Sequence, residues 1–238
     1  MIPIIFLHIP RTGGMSFRKI MDQVYGSENI GRCWWGDHAG KPIDEKDKNK
    51  SAWYGHFKFG LHTQLKDPDT KYLTILREPS ARLVSEYLRN GYREKFGWTP
   101  KQFAENVSQA FGWDNYGDNL QVRMISGAEK GELITRLHVY RAIENIRNHF
   151  VHVGYSSQYN DLIDFVKEKL EWNVISVPSV NKGPGGSITI QELNELRKCD
   201  QLQFDYEFYA ALRRAELEKY FRDNHEPVDS ISCVDDRK

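Results

Sequence analysis

Apolar runs and helical stripes alternate along this chain. Ile4 to Leu7 is a continuous apolar run, the mark of a strand covered on both faces of a parallel sheet. From Ser16 to Tyr25, the residues Phe17, Ile20, Met21 and Val24 recur at helical spacing. The pair predicts strand, loop, helix. Residues 41–51, KPIDEKDKNKS, are polar and mixed in charge and read as a solvated loop. AWYGHF (52–57) is a short aromatic strand candidate. KYLTILREPSARLVSEYL (71–88) repeats the opening theme, with a strand from Tyr72 to Leu76, then Pro79, then a helix with Leu83, Tyr87 and Leu88 on one face. Residues 101–148 read as mostly helical, broken near FGWDNYGDN. HFVHVGYSS (149–157) predicts another strand, followed by a helix from Tyr159 to Leu170. WNVISVP (172–178) predicts a last strand, and the loop SVNKGPGGSIT (179–189) leads into helices over 190–199 and 202–222.

Strands alternating with helices predict an α/β fold, a three-layer sandwich with a mainly parallel central sheet. Residues 1–225 read as one domain and residues 226–238 as a frayed C-terminal tail. In such sheets ligands sit beyond the carboxyl ends of the strands. The loops at 8–16 and 77–85 therefore carry the most weight.

Composition narrows the classes. Lys+Arg and Asp+Glu are both 33, so the formal net charge is zero, which argues against a general nucleic-acid or anionic-membrane binder. A local basic pocket is still compatible with that total. The cysteines (Cys33, Cys199, Cys233) are far apart and odd in number, and read as free thiols of a reducing compartment. The apolar start, MIPIIFLHIP, lacks a basic leader region and reads as a buried strand, and no stretch is long enough for a membrane span. A cytoplasmic location is the expectation, unless the native protein has a leader or anchor outside this sequence. No His/Cys/Asp/Glu group shows metal-ligand spacing, so no metal is expected.

The first loop reads FLHIPRTGGMSF, residues 6–17. A helix start offers unpaired N–H groups and a positive dipole end, hence an anion site. Gly13 and Gly14 let backbone approach a phosphate closely, Thr12 and Ser16 offer hydroxyls, and Arg11 offers a charge. The nucleotide-triphosphate loop G-x-x-x-x-G-K-[ST] is absent, because no lysine precedes Ser16. In the second loop Arg77 directly follows a strand and Ser85 lies two turns into the next helix. An arginine there suits two-pronged contact with a phosphate, provided Ser85 faces the same group. Either loop alone is also compatible with a bare glycine turn or a surface salt bridge.

Together, HIPRTGG followed by Ser16, and LREPxxRxxSxY some sixty residues later, resemble the cytosolic and Golgi sulfotransferases. The likeness is greatest to the carbohydrate (heparan sulfate 2-O/6-O) type, whose usual first motif reads H-I-P-K-T-G-G-T-S. The resemblance implies a fold related to nucleotide kinases and the donor 3′-phosphoadenosine 5′-phosphosulfate, with no metal. It implies that Arg11, Thr12, Gly13, Gly14, Met15 and Ser16 cradle the 5′-phosphosulfate, and that Arg77 and Ser85 grip the 3′-phosphate. It also implies a hydroxyl acceptor, a carbohydrate by the same likeness; a lipid, polyketide or other alcohol remains open. Arg11 stands where the family usually has lysine, replacing a point charge with a planar fork.

Sulfuryl transfer needs a base for the acceptor proton and positive charge where the leaving oxygen becomes anionic. Histidine suits the first role, and His56, after the AWYG strand, is the candidate base, as a Gly-His at this point is in the related carbohydrate enzymes. Arg11 is the candidate stabiliser, and His62 is the second choice for the base. His8 reads as packing beside the first loop. Asn181 or Lys182, in VNKGPGG (180–186), would touch phosphate or base if that loop closes on the nucleotide. Trp34, Trp35, Trp98, Trp113 and Tyr116 are cleft candidates, though core packing accounts for most of them. The rival functions are a catalytically silent nucleotide-binding module and a kinase-like phosphoryl transferase; the missing lysine counts against the second. Oligomeric state is not legible.

Overall fold

A computed structural model describes residues 2–33, 43–111, 118–129, 131–177 and 186–224. Its strands are β1 (Ile4–Leu7), β2 (Ile30–Cys33), β3 (Ala52–Gly55), β4 (Lys71–Leu76) and β5 (Phe150–Tyr155). They form one sheet in the order β2-β3-β1-β4-β5, and every pairing is parallel. Ile4 stands opposite Ala52 on one side and Lys71 on the other. With all strands running one way, the loops that leave their carboxyl ends collect along a single edge.

The continuous apolar runs are explained by burial on both faces. Ile5 and Leu7 of β1 face a cluster completed by helix α5 (Leu120–Ser126), α6 (Arg136–His149) and Phe208 of α9 (Gln203–Asn224). Ile4 and Phe6 face the opposite cluster, with Phe17, Ile20 and Met21 of α1 (Gly14–Tyr25) and Leu162, Ile163 and Val166 of α7 (Tyr159–Glu168). This is the three-layer α/β sandwich with a parallel sheet. A third cluster joins α2 (Pro79–Asn90), α3 (Tyr92–Phe96), α4 (Pro100–Phe111) and α8 (Ile190–Arg197) through Leu83, Tyr87, Tyr92, Phe103 and Leu196. The chain leaves β1 toward one face of the sheet and reaches β5 along the other. The crevice between β1 and β4 is thus a switch point, where α/β sheets take ligands.

Two sequence expectations change. The segment Ile30–Cys33 is an additional edge strand. Its Gly31 is tied to packing, since a Cβ there would come within 2.6 Å of the Trp53 ring. The strand expected from WNVISVP is absent through residue 177. Trp172 instead plugs the α1/α7 core, edge-on to Tyr25 at 5.4 Å, while Ile175 is 80% exposed. The N–H groups of Ile175 and Ser176 are spent on the Gln23 side chain, at 3.1 and 3.2 Å, so no strand ladder can use them. Among the described residues, no helix is long and apolar enough to cross a membrane.

Candidate active site at the carboxyl edge of the sheet

The loops after β1, β3, β4 and β5 surround a cleft of about 730 Å³. The first loop is folded tightly on itself. Arg11 has a φ of 70° and Gly13 one of 100°, the second easily borne only by glycine. Thr12 is fully buried and its hydroxyl donates to the Ile9 carbonyl at 2.8 Å. That hydroxyl therefore fixes the loop, its proton spent on the Ile9 carbonyl. Helix α1 begins at Gly14 with no side-chain cap and no acidic residue in its first turn, so its positive end opens on the cleft. Met15 lines the cleft. Ser16 stands in that first turn, its N–H on the Gly13 carbonyl at 3.1 Å, but is not among the lining residues.

Gly14 has a role beyond close phosphate approach. A Cβ at this position would lie 2.0 Å from the His8 ring, so the missing side chain makes the room that His8 occupies. His8 accepts or donates to the Tyr54 hydroxyl through Nδ1 at 2.6 Å and stacks on His56, with ring centroids 4.4 Å apart. His56, one residue past β3, donates its Nδ1–H to the His8 carbonyl at 2.7 Å. A carbonyl can only accept, so the neutral ring carries its proton on Nδ1 and Nε2 is its basic nitrogen. Burial lowers the pKa of His56, with the hydrogen bond to His8 acting the other way. His8 is pushed well below its ordinary value by burial first, then by His56 and Arg11.

The two loops meet through arginine. The Arg11 guanidinium donates from Nε and Nη2 to the Ser85 hydroxyl at 3.2 and 3.1 Å. It also lies 3.7 Å from a carboxylate oxygen of Glu86, whose other oxygen accepts from Asn90 at 2.5 Å. Arg77 donates from Nη1 to the Arg11 carbonyl at 3.0 Å. Ser85 is therefore the hinge between the loops, bound to Arg11 and not directly to Arg77.

This arrangement coincides with a match to the family model described as sulfotransferase family, over residues 2–172. The chain belongs to the sulfotransferase family. No curated protein matches it. Among solved structures it is similar to mouse sulfotransferase SULT7A1 complexed with PAP, at 14% identity and a TM-score of 0.41, covering 82% of this chain and 63% of that one.

In this member of the family the structure places Arg11, Thr12, Gly13, Gly14, Met15, His56, Arg77 and Ser85 around one cleft. His62 is elsewhere, buried against Phe59 and His149 with Nδ1 on the Tyr72 hydroxyl at 2.9 Å. Asn181 and Lys182 lie outside the described residues, as do Trp34, Trp35, Trp113 and Tyr116. Trp98 packs in the third cluster, its carbonyl accepting from Tyr87 at 2.6 Å. Several lining residues had no local motif to announce them. Arg89 lines the cleft one helical turn beyond Ser85, a spacing that was open to reading. Ser156 and Ser157 follow β5, and Tyr209 comes from α9, where only the tertiary fold brings it close. Behind the wall, Arg82 is fully buried, and none of its side-chain nitrogens has a hydrogen-bond partner among the described residues.

Proposed function

We propose that this chain moves a sulfuryl group from 3′-phosphoadenosine 5′-phosphosulfate to a hydroxyl, with a carbohydrate as the acceptor class. One observation carries the reading: an uncapped helix start, two guanidinium groups and a histidine with its proton held on Nδ1 converge on a single cleft. In this scheme the backbone of residues 12–15 and Arg11 hold the phosphosulfate, while Arg77 and Ser85 hold the 3′-phosphate. Nε2 of His56 takes the proton as the acceptor oxygen forms its bond to sulfur. The bond from sulfur to the phosphate oxygen breaks, and adenosine 3′,5′-bisphosphate leaves with its new negative charge facing Arg11 and the start of α1. The sequence likeness at HIPRTGG supports the carbohydrate acceptor.

The test is incubation with ³⁵S-labelled donor and a panel of desulfated glycosaminoglycans, simple sugars, phenols and aliphatic alcohols. Label is expected in a carbohydrate. Label in a phenol or aliphatic alcohol alone overturns the acceptor class, and donor binding without label in any acceptor favours the silent module.

A further inference from the structure

Arg77 stands just beyond the last paired residue of β4, Leu76, which registers with Tyr155. Its peptide groups therefore have no strand neighbour, yet both are satisfied. The Arg77 N–H donates to Oε1 of Gln121 at 3.0 Å, and the Arg77 carbonyl accepts from Nε2 of the same side chain at 2.9 Å. A side-chain amide offers an acceptor and a donor side by side, and glutamine matches both peptide groups at once. Gln121 is fully buried and sits 44 residues away in sequence.

Gln121 is itself held rigidly. It is the second residue of α5, where the Asp205 carboxylate accepts from the N–H groups of Gln121 and Val122 at 3.2 and 2.8 Å. In return, Oδ1 of Asn119 accepts from the N–H groups of Phe204 and Asp205 at 2.8 and 2.9 Å. The starts of α5 and α9 thus cap each other. A substrate-gripping side chain needs a backbone that does not drift, and misplacement of a binding group costs affinity and rate steeply.

We infer that Gln121 is a positioning residue for Arg77, clamping its peptide so that the guanidinium is aimed at the 3′-phosphate of the nucleotide. The inference rests on the proposed role of Arg77. Gln121 acts through that residue and does not touch the nucleotide. A clamp of this kind leaves a specific signature, because it governs one phosphate and not the remainder of the ligand.

The experiment is calorimetric titration of the unaltered chain, Gln121→Met and Gln121→Glu, each with adenosine 3′,5′-bisphosphate and with 5′-AMP. Methionine keeps the volume and removes both hydrogen bonds, whereas glutamate keeps an acceptor and loses the donor. The preference for the bisphosphate over 5′-AMP is expected to fall about tenfold or more in both variants, the scale of lost hydrogen bonds that support a charged contact. Affinity for 5′-AMP is expected to stay within about twofold. An unchanged preference overturns the inference. An equal loss for both nucleotides, or failure of both variants to fold, makes Gln121 a fold element and overturns it too. If the unaltered chain shows no preference, the reading of Arg77 falls first and the clamp falls with it.

Discussion

At the residue scale, the chemistry is set by which atoms are already engaged. Gly14 is small because the His8 ring fills the place of its side chain, and that ring in turn stacks on His56. The His8 carbonyl then holds the His56 proton on Nδ1. The path from a glycine to the tautomer of His56 is continuous. His56→Ala is expected to lose about 10²–10⁴ in turnover, the usual worth of a general base, while bisphosphate affinity is retained. Because burial lowers its pKa from the ordinary histidine value, turnover is expected to hold through neutral pH and to drop only on acidification below the range in which a free histidine titrates. A rate that already declines between pH 8 and 7 contradicts the assignment, as does normal turnover of His56→Ala.

At the element scale, the strand ends matter more than the strands. β1, β3 and β4 were legible because each is an apolar run that stops at a loop carrying charge or histidine. β2 was not, since Ile-Gly-Arg-Cys has neither an apolar run nor alternation, and its glycine answers to the Trp53 ring of a neighbouring strand. WNVISVP misled for the opposite reason: its composition suits a strand, but its N–H groups are taken by Gln23. Of that segment Trp172 is buried in the core, with Val174 partly buried against the same cluster. Trp172→Ala is therefore expected to cost about 3–5 kcal/mol in denaturant unfolding, as deletion of a buried aromatic does. Ile175→Ala should stay within about 0.5 kcal/mol, as at other exposed sites. Comparable costs at the two positions would mean that residues 172–177 pack as a strand after all.

At the scale of the whole molecule, a chain of zero net charge concentrates cations where one edge of the sheet meets α1 and α2. The motifs at 8–16 and 77–85 announced that edge, since the residues that make it are contiguous in each loop. Its supports leave no local trace in the sequence. Gln121 and Tyr209 arrive from helices far along the chain, and their roles exist only once α5 and α9 have docked. Ser85 was legible as a member of the site, but its partner, Arg11 rather than Arg77, follows from where α2 crosses the first loop. The proposed function requires this edge to hold a nucleotide with phosphates at both 3′ and 5′ positions. It is tested most directly by calorimetric titration of the unaltered chain with adenosine 3′,5′-bisphosphate, 5′-AMP and Mg²⁺-ATP. Tight binding of the bisphosphate is expected, without metal and dependent on its 3′-phosphate. Binding of Mg²⁺-ATP alone, or of none of the three, would contradict it.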